Sequence, residues 1–410
     1  MRLLALPLLL LLAAPGLAQE PVEYLLDGRD KKRGGFLGQL LLTPQGQGAW
    51  RAAQRATFRE HGVESIEGTG RRQGAELRVE LPATAGLSGA LTGAQPGPPL
   101  RLRARFHYQD STCRTQIQKG TEQVSQAYGH RVDSPQGTGF PDAALRPAPD
   151  SASHTYAAFK GVPFIKGEGD PHAVAINDVG QGSLGDCYFM AGLAAVARSQ
   201  PERIQAMVQD HGDGSFSVYM WAHNDQWGEE VEDPDGTYEY VLSARRVRVD
   251  DHFPAGWNGA TPAYAKFGDQ ETTPDGERRV ELWPMLFEKA YAQLKGSYSI
   301  VGEGGFASTP MSFFSSEQVE DHDPQEMTPE AVRAVMKAAE RDGRPMTLGV
   351  PSATANSAMN LYGNHYYAFW GFDADGNVLV YNPWGSSHPP RGLTFEEVCK
   401  HFDSLHVGPK

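Results

Sequence analysis

Alternating apolar and polar positions are the main pattern in the first quarter of the chain. Residues 75–81 and 100–106 place an apolar side chain at every second position, which is the period of a half-buried antiparallel strand. A third apolar run, residues 36–42, lies between glycine-rich turns. The pattern predicts a small, mostly antiparallel β domain over residues 19–110, whose role the sequence leaves open.

Residues 111–162 show little periodicity. They are rich in Ser, Gln, Gly, Pro and Asp, a composition typical of linkers and extended covering segments. We therefore predict a linker here, followed by a second folded unit.

From about residue 163 helical spacing appears beside short strand patterns. Thr328 and Pro329 are a typical N-cap and first helical residue, so a helix should start there and run to about Arg341. Further helices are expected at Cys187–Arg198 and Leu282–Leu294, and strands at Met346–Val350, His365–Phe372 and Val378–Tyr381. The fold class is α+β, with a core over residues 163–410.

The first 18 residues have the three-part layout of a secretory signal peptide. A basic start at Arg2 precedes an apolar run, and small residues lead up to Ala18. The alternative is a membrane anchor, but the run is short for a bilayer span and Pro7 interrupts it. We expect cleavage after Ala18 and a secreted or periplasmic protein.

Charge and cysteine content narrow the functional classes. The formal net charge is −13, and phosphate groups would repel such a surface, so nucleic acid and anionic membranes are not expected partners.

The three cysteines, Cys113, Cys187 and Cys399, are too few for a disulfide scaffold. Three single pairings are possible, and only Cys113–Cys399 leaves Cys187 free.

The segment around Cys187 carries the strongest chemical signal. Glycines bend the chain before Cys187, which then begins a helix, where the helix dipole and free backbone N–H groups favour a thiolate nucleophile. The Cys187 N–H and the Gln181 side-chain amide could together form an oxyanion hole. The alternative is that Cys187 is a small buried apolar residue.

A nucleophilic cysteine needs an imidazole base and a group that orients it. If the two strands around residues 373–377 pair across a four-residue loop, His365 faces Trp384 and Asn382 lies one diagonal step away. Trp384 could then shield the His–Asn hydrogen bond from water. A bulge or an odd loop would break this register.

Each of these residues also has a structural interpretation. A histidine in a strand is commonly structural, and an asparagine before proline is commonly a turn residue. His252, which follows two aspartates, is the best rival base. Residues 373–377 hint at a calcium loop, but Val378 stands where that loop needs glycine, so we interpret them as a turn.

Several motifs in this half of the chain resemble those of the calpain family of cysteine proteases. They are Q-G-S-L-G-D-C at 181–187, D-D-H-F-P at 250–254, L-W-P-M-L-F-E-K-A-Y-A at 282–292, G-N-H-Y-Y at 363–367 and N-P-W-G at 382–385. Tyr188 stands where calpains carry tryptophan. The resemblance implies a papain-like fold with lobe I at about 163–305 and lobe II at about 306–410. It also implies a triad of Cys187, His365 and Asn382, Gln181 as oxyanion donor, and peptide hydrolysis through a thioester.

The resemblance also raises the question of calcium. Asp178, nine residues before Cys187, matches an acidic ligand position of the family, so the resemblance allows a calcium site that includes Asp178, although no cofactor is predicted to be required. Residues 386–392 hold no carboxylate where the family places several. Control by two calcium sites is therefore not expected, and no other cofactor is predicted.

Three functional hypotheses remain open at this stage. The intact set of Gln181, Cys187, His365 and Asn382 favours an active endopeptidase acting on proteins or peptides. A papain-like acyltransferase such as a transglutaminase could use the same triad, and an inactive scaffold could serve as a secreted binding protein. The sequence predicts neither the natural substrate nor the oligomeric state.

Overall fold

The computed structural model describes most of the chain. It covers residues 21–31, 34–46, 49–58, 62–73, 76–81, 100–107, 112–119, 122–133, 146–222, 231–232, 238–239, 243–256, 259–315 and 317–410. The predicted signal peptide, residues 1–18, lies outside these residues. In the described part of the chain, no helix has both the length and the apolar character that crossing a membrane requires.

The N-terminal sheet domain, residues 22–133, is one antiparallel sheet that closes on itself. Each strand pairs with the next, and the first strand also pairs with the eighth. The strands are β1 Val22–Asp30, β2 Gly34–Gly46, β3 Ala49–Phe58, β4 Gly62–Gln73, β5 Glu76–Leu81, β6 Leu100–His107, β7 Thr112–Lys119 and β8 Glu122–Asp133. Its interior is a separate apolar core that includes Tyr24, Trp50 and Leu102. The predicted antiparallel β domain is confirmed.

The linker prediction was wrong for residues 112–119 and 122–133, which form the last two strands of this domain. It was also wrong for residues 155–158 and 161–162, which form strands of the second folded unit. Cys113, Thr115 and Ile117 point inward and are buried. Because Cys and Thr are weak apolar signals and the residues between them are polar, the alternation was not recognised in the sequence. Pairing with β6 and β1 supplies the hydrogen bonds that make these segments strands.

The rest of the described chain forms two lobes. Lobe I contains β9 Thr155–Ala158, β10 Gly161–Val162, α1 Cys187–Ser199, α2 Pro201–Ala206, β11 Val208–Asp210, β12 Ser215–Ala222, β13 Val231–Glu232, β14 Tyr238–Glu239, β15 Ser243–Asp250, β16 His252–Ala255, β17 Gln270–Thr272, β18 Arg278–Glu281, α3 Trp283–Lys295, α4 Tyr298–Val301 and α5 Ser308–Ser312. Helices α1 and α3 are buried along most of their length, as their runs of apolar residues predict.

Lobe II is a five-stranded sheet with helices against it. Its elements are β19 Glu320–His322, α6 Pro329–Arg341, β20 Met346–Val350, β21 His365–Phe372, β22 Val378–Tyr381, α7 Phe395–His401 and β23 Ser404–Val407, and the strand order is β19-β23-β20-β21-β22. The Thr328 side chain accepts a hydrogen bond from Ala331 N at 3.2 Å, so it caps α6 as predicted. The α+β class is confirmed.

The N-terminal sheet domain rests on lobe I, away from lobe II. Leu25 and Leu37 on its outer face join the apolar core of lobe I, and Gln39 Nε2 donates to Ala206 O at 2.8 Å. The end of β8 also runs parallel to β15, with Val132 beside Ala244. The domain is therefore an integral part of the lobe I surface.

Candidate active site

Cys187 is the first residue of α1, as the sequence predicts. It is half-buried, and its sulfur lies 3.9 Å from Asn364 O, next to the residue that begins β21. Helix α1 belongs to lobe I and β21 belongs to lobe II. The fold thus brings the thiol of one lobe against the strand of the other that carries His365.

The pKa of the Cys187 thiol differs from the expectation for a helix N-terminus. Burial raises this pKa, and the nearby Asp186 carboxylate raises it further. Backbone N–H groups, first that of Tyr366 and then that of Tyr188, favour the thiolate but do not outweigh burial. The thiol therefore needs a base to become a nucleophile.

His365 and Asn382 meet as the sequence predicts. His365 Nε2 lies 2.9 Å from Asn382 Oδ1, and both side chains are buried. The Trp384 ring covers this pair, with its centroid 4.6 Å from that of His365. Burial lowers the pKa of His365, so the ring is neutral at pH 7.

Hydrogen bonds fix which atoms of this pair carry protons. Asn382 Oδ1 also accepts from the backbone N–H of Trp384 at 3.1 Å, and a backbone N–H can only donate. The amide oxygen therefore faces both groups, and His365 must donate its Nε2–H to it. In the neutral ring Nδ1 is then the atom that can accept a proton.

The register that joins His365 and Asn382 arises differently from the prediction. Ala368 pairs with Tyr381, as expected, but Phe372 pairs with Val378 across a five-residue turn. A bulge between Phe369 and Gly371 shifts the register back by one residue. The odd turn and the bulge cancel, so the two side chains share a face after all.

Gln181 lies beside the site but its amide is engaged locally. Its Nε2 donates to Leu184 O at 2.7 Å, and the side chain is buried. The buried Asp186 carboxyl is a second hydrogen-bond partner of the Gln181 side chain. The oxyanion role predicted for Gln181 stays a prediction.

Direct hydrogen bonds hold the two lobes in this arrangement. Tyr381 Oη donates to Val179 O and Gln181 N donates to Pro383 O, each at 2.7 Å. These bonds tie the segment before Cys187 to the residues on either side of Asn382. On the other side of α1, Arg198 makes a two-pronged ion pair with Glu340 of α6, both contacts at 2.8 Å.

A cleft of about 460 Å³ opens over the thiol. It is lined by Cys187, His365, the glycine-rich loop at 302–306, the end of β20 and residues 403–404. Phe306 of that loop is 67% exposed, which leaves an apolar surface at the rim. No described residue of the N-terminal sheet domain lines the cleft, so this domain does not cover the thiol here.

The remaining candidates lie elsewhere. His252 bonds Asp251 through Nδ1 at 2.8 Å and does not line the cleft. Cys113 is buried inside the N-terminal sheet domain, Cys399 is on α7, and all three thiols are unpaired. The Asp373 side chain accepts from the N–H groups of Asp375 and Asn377, which is the turn predicted for that segment.

Asp178 belongs to an acidic cluster formed by Asp170, Asp178 and Asp269. One carboxylate oxygen from each of these residues lies within 4.8 Å of the others. Asp178 Oδ1 and Asp269 Oδ2 are buried without a hydrogen-bond partner. Gly167 lies so close to Asp269 and Asp170 that a Cβ there would collide with both carboxylates.

Burial disfavours the ionised form of the carboxyl groups in and beside this cluster. Burial raises the pKa of Asp178 to about 7 and that of adjacent Glu281 to about 9. An oxygen-only set with unsatisfied atoms fits a hard cation such as calcium. Of these residues, only Asp178 could be recognised as a candidate ligand in the sequence, because Asp170, Asp269 and Glu281 approach it only in the folded chain.

The segment after Asn382 is satisfied internally. The backbone N–H of Asn382 donates to His388 Nδ1 at 2.9 Å, and Asn382 Nδ2 donates to Ser387 O at 3.3 Å. The His388 ring packs on Tyr381 and Trp370, with centroids at 4.8 and 5.1 Å. Sequence analysis missed His388, since a lone histidine before two prolines gives no motif.

The chain is similar to known proteases over much of its length. The family model described as calpain family cysteine protease matches residues 170–389, more than half of the chain. Calpain-9 of Rattus norvegicus is 29% identical over 275 residues, covering 61% of this chain and 35% of its own length. Calpain-B of Drosophila melanogaster is 30% identical over 263 residues, or 55% of this chain and 25% of its own length.

A fungal relative shows a similar match. The calpain-like protease palB/cpr-8 of Neurospora crassa is 25% identical over 264 residues, covering 56% of this chain and 26% of its own length. The chain therefore spans about a third or less of the length of these relatives. The similarity is to one part of larger proteins.

Proposed function

Because the chain belongs to the calpain family of cysteine proteases, we propose that it hydrolyses peptide bonds with Cys187 as nucleophile, His365 as base and acid, and Asn382 as the group that orients His365. The observation that carries the proposal is the shared cleft. Cys187 and His365 line it from opposite lobes, and Asn382 Oδ1 lies 2.9 Å from His365 Nε2.

The chemistry follows from the proton positions. His365 Nδ1 takes the thiol proton, and the sulfur of Cys187 attacks the carbonyl carbon of the substrate. As the C–N bond breaks, the imidazolium returns its proton to the leaving amine, and a thioester remains on Cys187. His365 then takes a proton from water, whose oxygen attacks the thioester and releases the acid and the thiol.

Asn382 and the groups around it support each proton transfer. The amide oxygen holds His365 in the Nε2–H tautomer and favours the imidazolium that forms after the first transfer. The Trp384 ring shields this hydrogen bond from water, which strengthens it. The N–H of Cys187 and the side-chain amide of Gln181 are the proposed donors to the oxyanion.

We propose further that calcium binds at the acidic cluster. The carboxylates of Asp170, Asp178 and Asp269 would hold the ion, which would supply positive charge where two buried oxygens lack partners. Asp178 lies just before Val179, whose carbonyl accepts from Tyr381. The ion would therefore stabilise the start of the segment that carries Gln181 and Cys187.

We also propose that the chain acts outside the cytoplasm, because residues 1–18 have the layout of a secretory signal peptide.

Casein cleavage by the chain from residue 19 onward tests the proteolytic mechanism. Wild type should release fragments under reducing conditions, Cys187→Ala should not, and Cys399→Ala should match wild type because Cys399 lies on α7 away from the cleft. A labelled primary amine in the reaction should stay unincorporated. Undiminished cleavage by Cys187→Ala, or amine incorporation as the main product, would contradict the proposal.

A further inference from the structure

The loop that follows Asn382 is closed by a histidine with no role in the mechanism above. The lobe II loop, residues 385–392, turns back so that His388 lies beneath Asn382. Gly385 and Ser387 both adopt positive φ, at 73° and 57°, to make this turn. Such a conformation disfavours serine, so contacts of the loop must hold it.

We infer that His388 is a positioning residue that fixes Asn382, and through it His365; this rests on the proposed triad. His388 Nδ1 accepts a hydrogen bond from the backbone N–H of Asn382 at 2.9 Å. This N–H belongs to the residue whose side chain orients His365. The adjacent carbonyl of Ser387 accepts the Asn382 amide at 3.3 Å. One loop therefore holds both the backbone and the side chain of Asn382.

The surroundings of His388 fix its orientation. Its ring lies against Tyr381 of β22 and Trp370 of β21, and its carbonyl accepts from Asn360 Nδ2 at 2.8 Å. These contacts leave Nδ1 aimed at the Asn382 N–H. Without an acceptor there, that buried N–H would lose its partner, because Asn382 is fully buried at the end of the strand.

The bond requires neutral His388. A backbone N–H can only donate, so Nδ1 must be unprotonated and the proton must sit on Nε2. Burial lowers the pKa of His388, which keeps the ring neutral at pH 7. The facing titratable group is Tyr381, which burial also keeps neutral; the other neighbours, Trp370, Asn360 and Asn382, carry no charge.

Two substitutions separate hydrogen bonding from packing. His388→Phe keeps a ring against Tyr381 and Trp370 but has no acceptor. His388→Asn loses the ring but offers an amide oxygen near the position of Nδ1. If His388 positions Asn382, the phenylalanine variant should lose about five- to tenfold in kcat/KM, the effect of one hydrogen bond, and the asparagine variant should recover most of that loss. The reverse order would mean that the ring only packs and would overturn the inference.

A readout without substrate separates this inference from the proposed proteolysis. Alkylation of Cys187 by iodoacetamide at pH 6, followed by peptide mass spectrometry, reports how readily His365 takes the thiol proton. His388→Phe should slow it about fivefold and His388→Asn should restore it, whether or not casein is cleaved. If iodoacetamide alkylates Cys187 of the His388→Phe variant at the wild-type rate, the inference is overturned.

The path through Asn382 is tested by combination. In an Asn382→Ala background, His388→Phe should cause no further loss of alkylation rate, because the side chain that it positions is gone. A full additional loss would overturn the inference. His211→Phe, at an exposed histidine bonded to Ser217 in lobe I, serves as the control for a histidine outside the site, and thermal unfolding of each variant identifies any that fails to fold.

Discussion

Two segments beside the proposed triad, one in each lobe, differ in how their buried polar groups are satisfied. The segment before Cys187 in lobe I begins at the acidic cluster, where two buried carboxylate oxygens lack partners. The segment after Asn382 in lobe II is the loop at 385–392, which has no carboxylate and is closed by His388 and Ser387. The first leaves two buried oxygens without partners, whereas the second provides hydrogen-bond partners for the backbone and the side chain of Asn382.

If calcium binds at the acidic cluster as proposed, its effect on stability should arise in lobe I. A cation can stabilise only a state whose ligands are arranged for it. Lobe II replaces such ligands with neutral hydrogen bonds and ring contacts. The two lobes should therefore respond differently to calcium, pH and substitution.

The largest effect expected is calcium stabilisation through lobe I. At about 100 times its dissociation constant, calcium should raise the free energy of unfolding by about 2.7 kcal/mol and the melting temperature by about 3–5 °C. Asp178→Asn should remove most of this shift, and Asp275→Asn, in an exposed turn, should not. Scanning calorimetry with calcium or with chelator gives the answer. An equal shift in Asp178→Asn would place the ion elsewhere.

The second effect is the pH dependence of the calcium-free protein. The pKa values of Asp178 and Glu281 are raised in the folded state, so the folded protein binds more protons than the unfolded chain. Stability from these groups is complete below about pH 4 and is lost as pH rises through about 7 and about 9.

Urea unfolding with chelator should show about 2.5 kcal/mol lost between pH 5 and 6 in the wild type, since each of the two carboxyls contributes up to about 1.4 kcal/mol per pH unit. The slope should be much smaller in Asp178→Asn combined with Glu281→Gln, which do not titrate. Parallel pH curves for the two proteins would show that these carboxyls are not the source.

The third effect concerns the link between the lobes. Arg198 and Glu340 are partly buried, so Glu340→Gln should cost about 1 kcal/mol in urea unfolding. Glu67→Gln is the matched control, because Arg51 and Glu67 form a similar two-pronged pair that is about half exposed. Its loss should be close to zero. Equal losses in both variants would show that the ion pair between the lobes stabilises the protein no more than an exposed ion pair does.

The smallest effect is in the lobe II loop. Ser387 has φ 57°, so Ser387→Gly should stabilise the protein by about 0.5 kcal/mol while keeping the Ser387 carbonyl bond to Asn382. Ser386→Gly, at a residue without positive φ, should destabilise it slightly. Chemical unfolding at constant pH compares the two, and destabilisation by Ser387→Gly would show that the turn is not strained.

Local chemistry determined what the sequence could predict. Thr328 and Pro329 specify a helix start whatever surrounds them, and the predicted span to Arg341 is the observed one. Glycines before Cys187 and an apolar run after it specify the start of α1. The proximity of His365 and Asn382 also followed from the hairpin pattern, although the turn and the bulge that produce it did not.

By itself, the sequence predicted the three longest of the described helices, several strands and the identity of the candidate triad, because these depend on residues close in the chain. Only the tertiary structure decided that residues 112–133 complete a closed sheet, that burial raises the pKa of Cys187, and that Asp170 and Asp269 join Asp178. It also placed His388 beneath Asn382. These features depend on burial and on pairing between distant segments, which no local pattern of residues encodes.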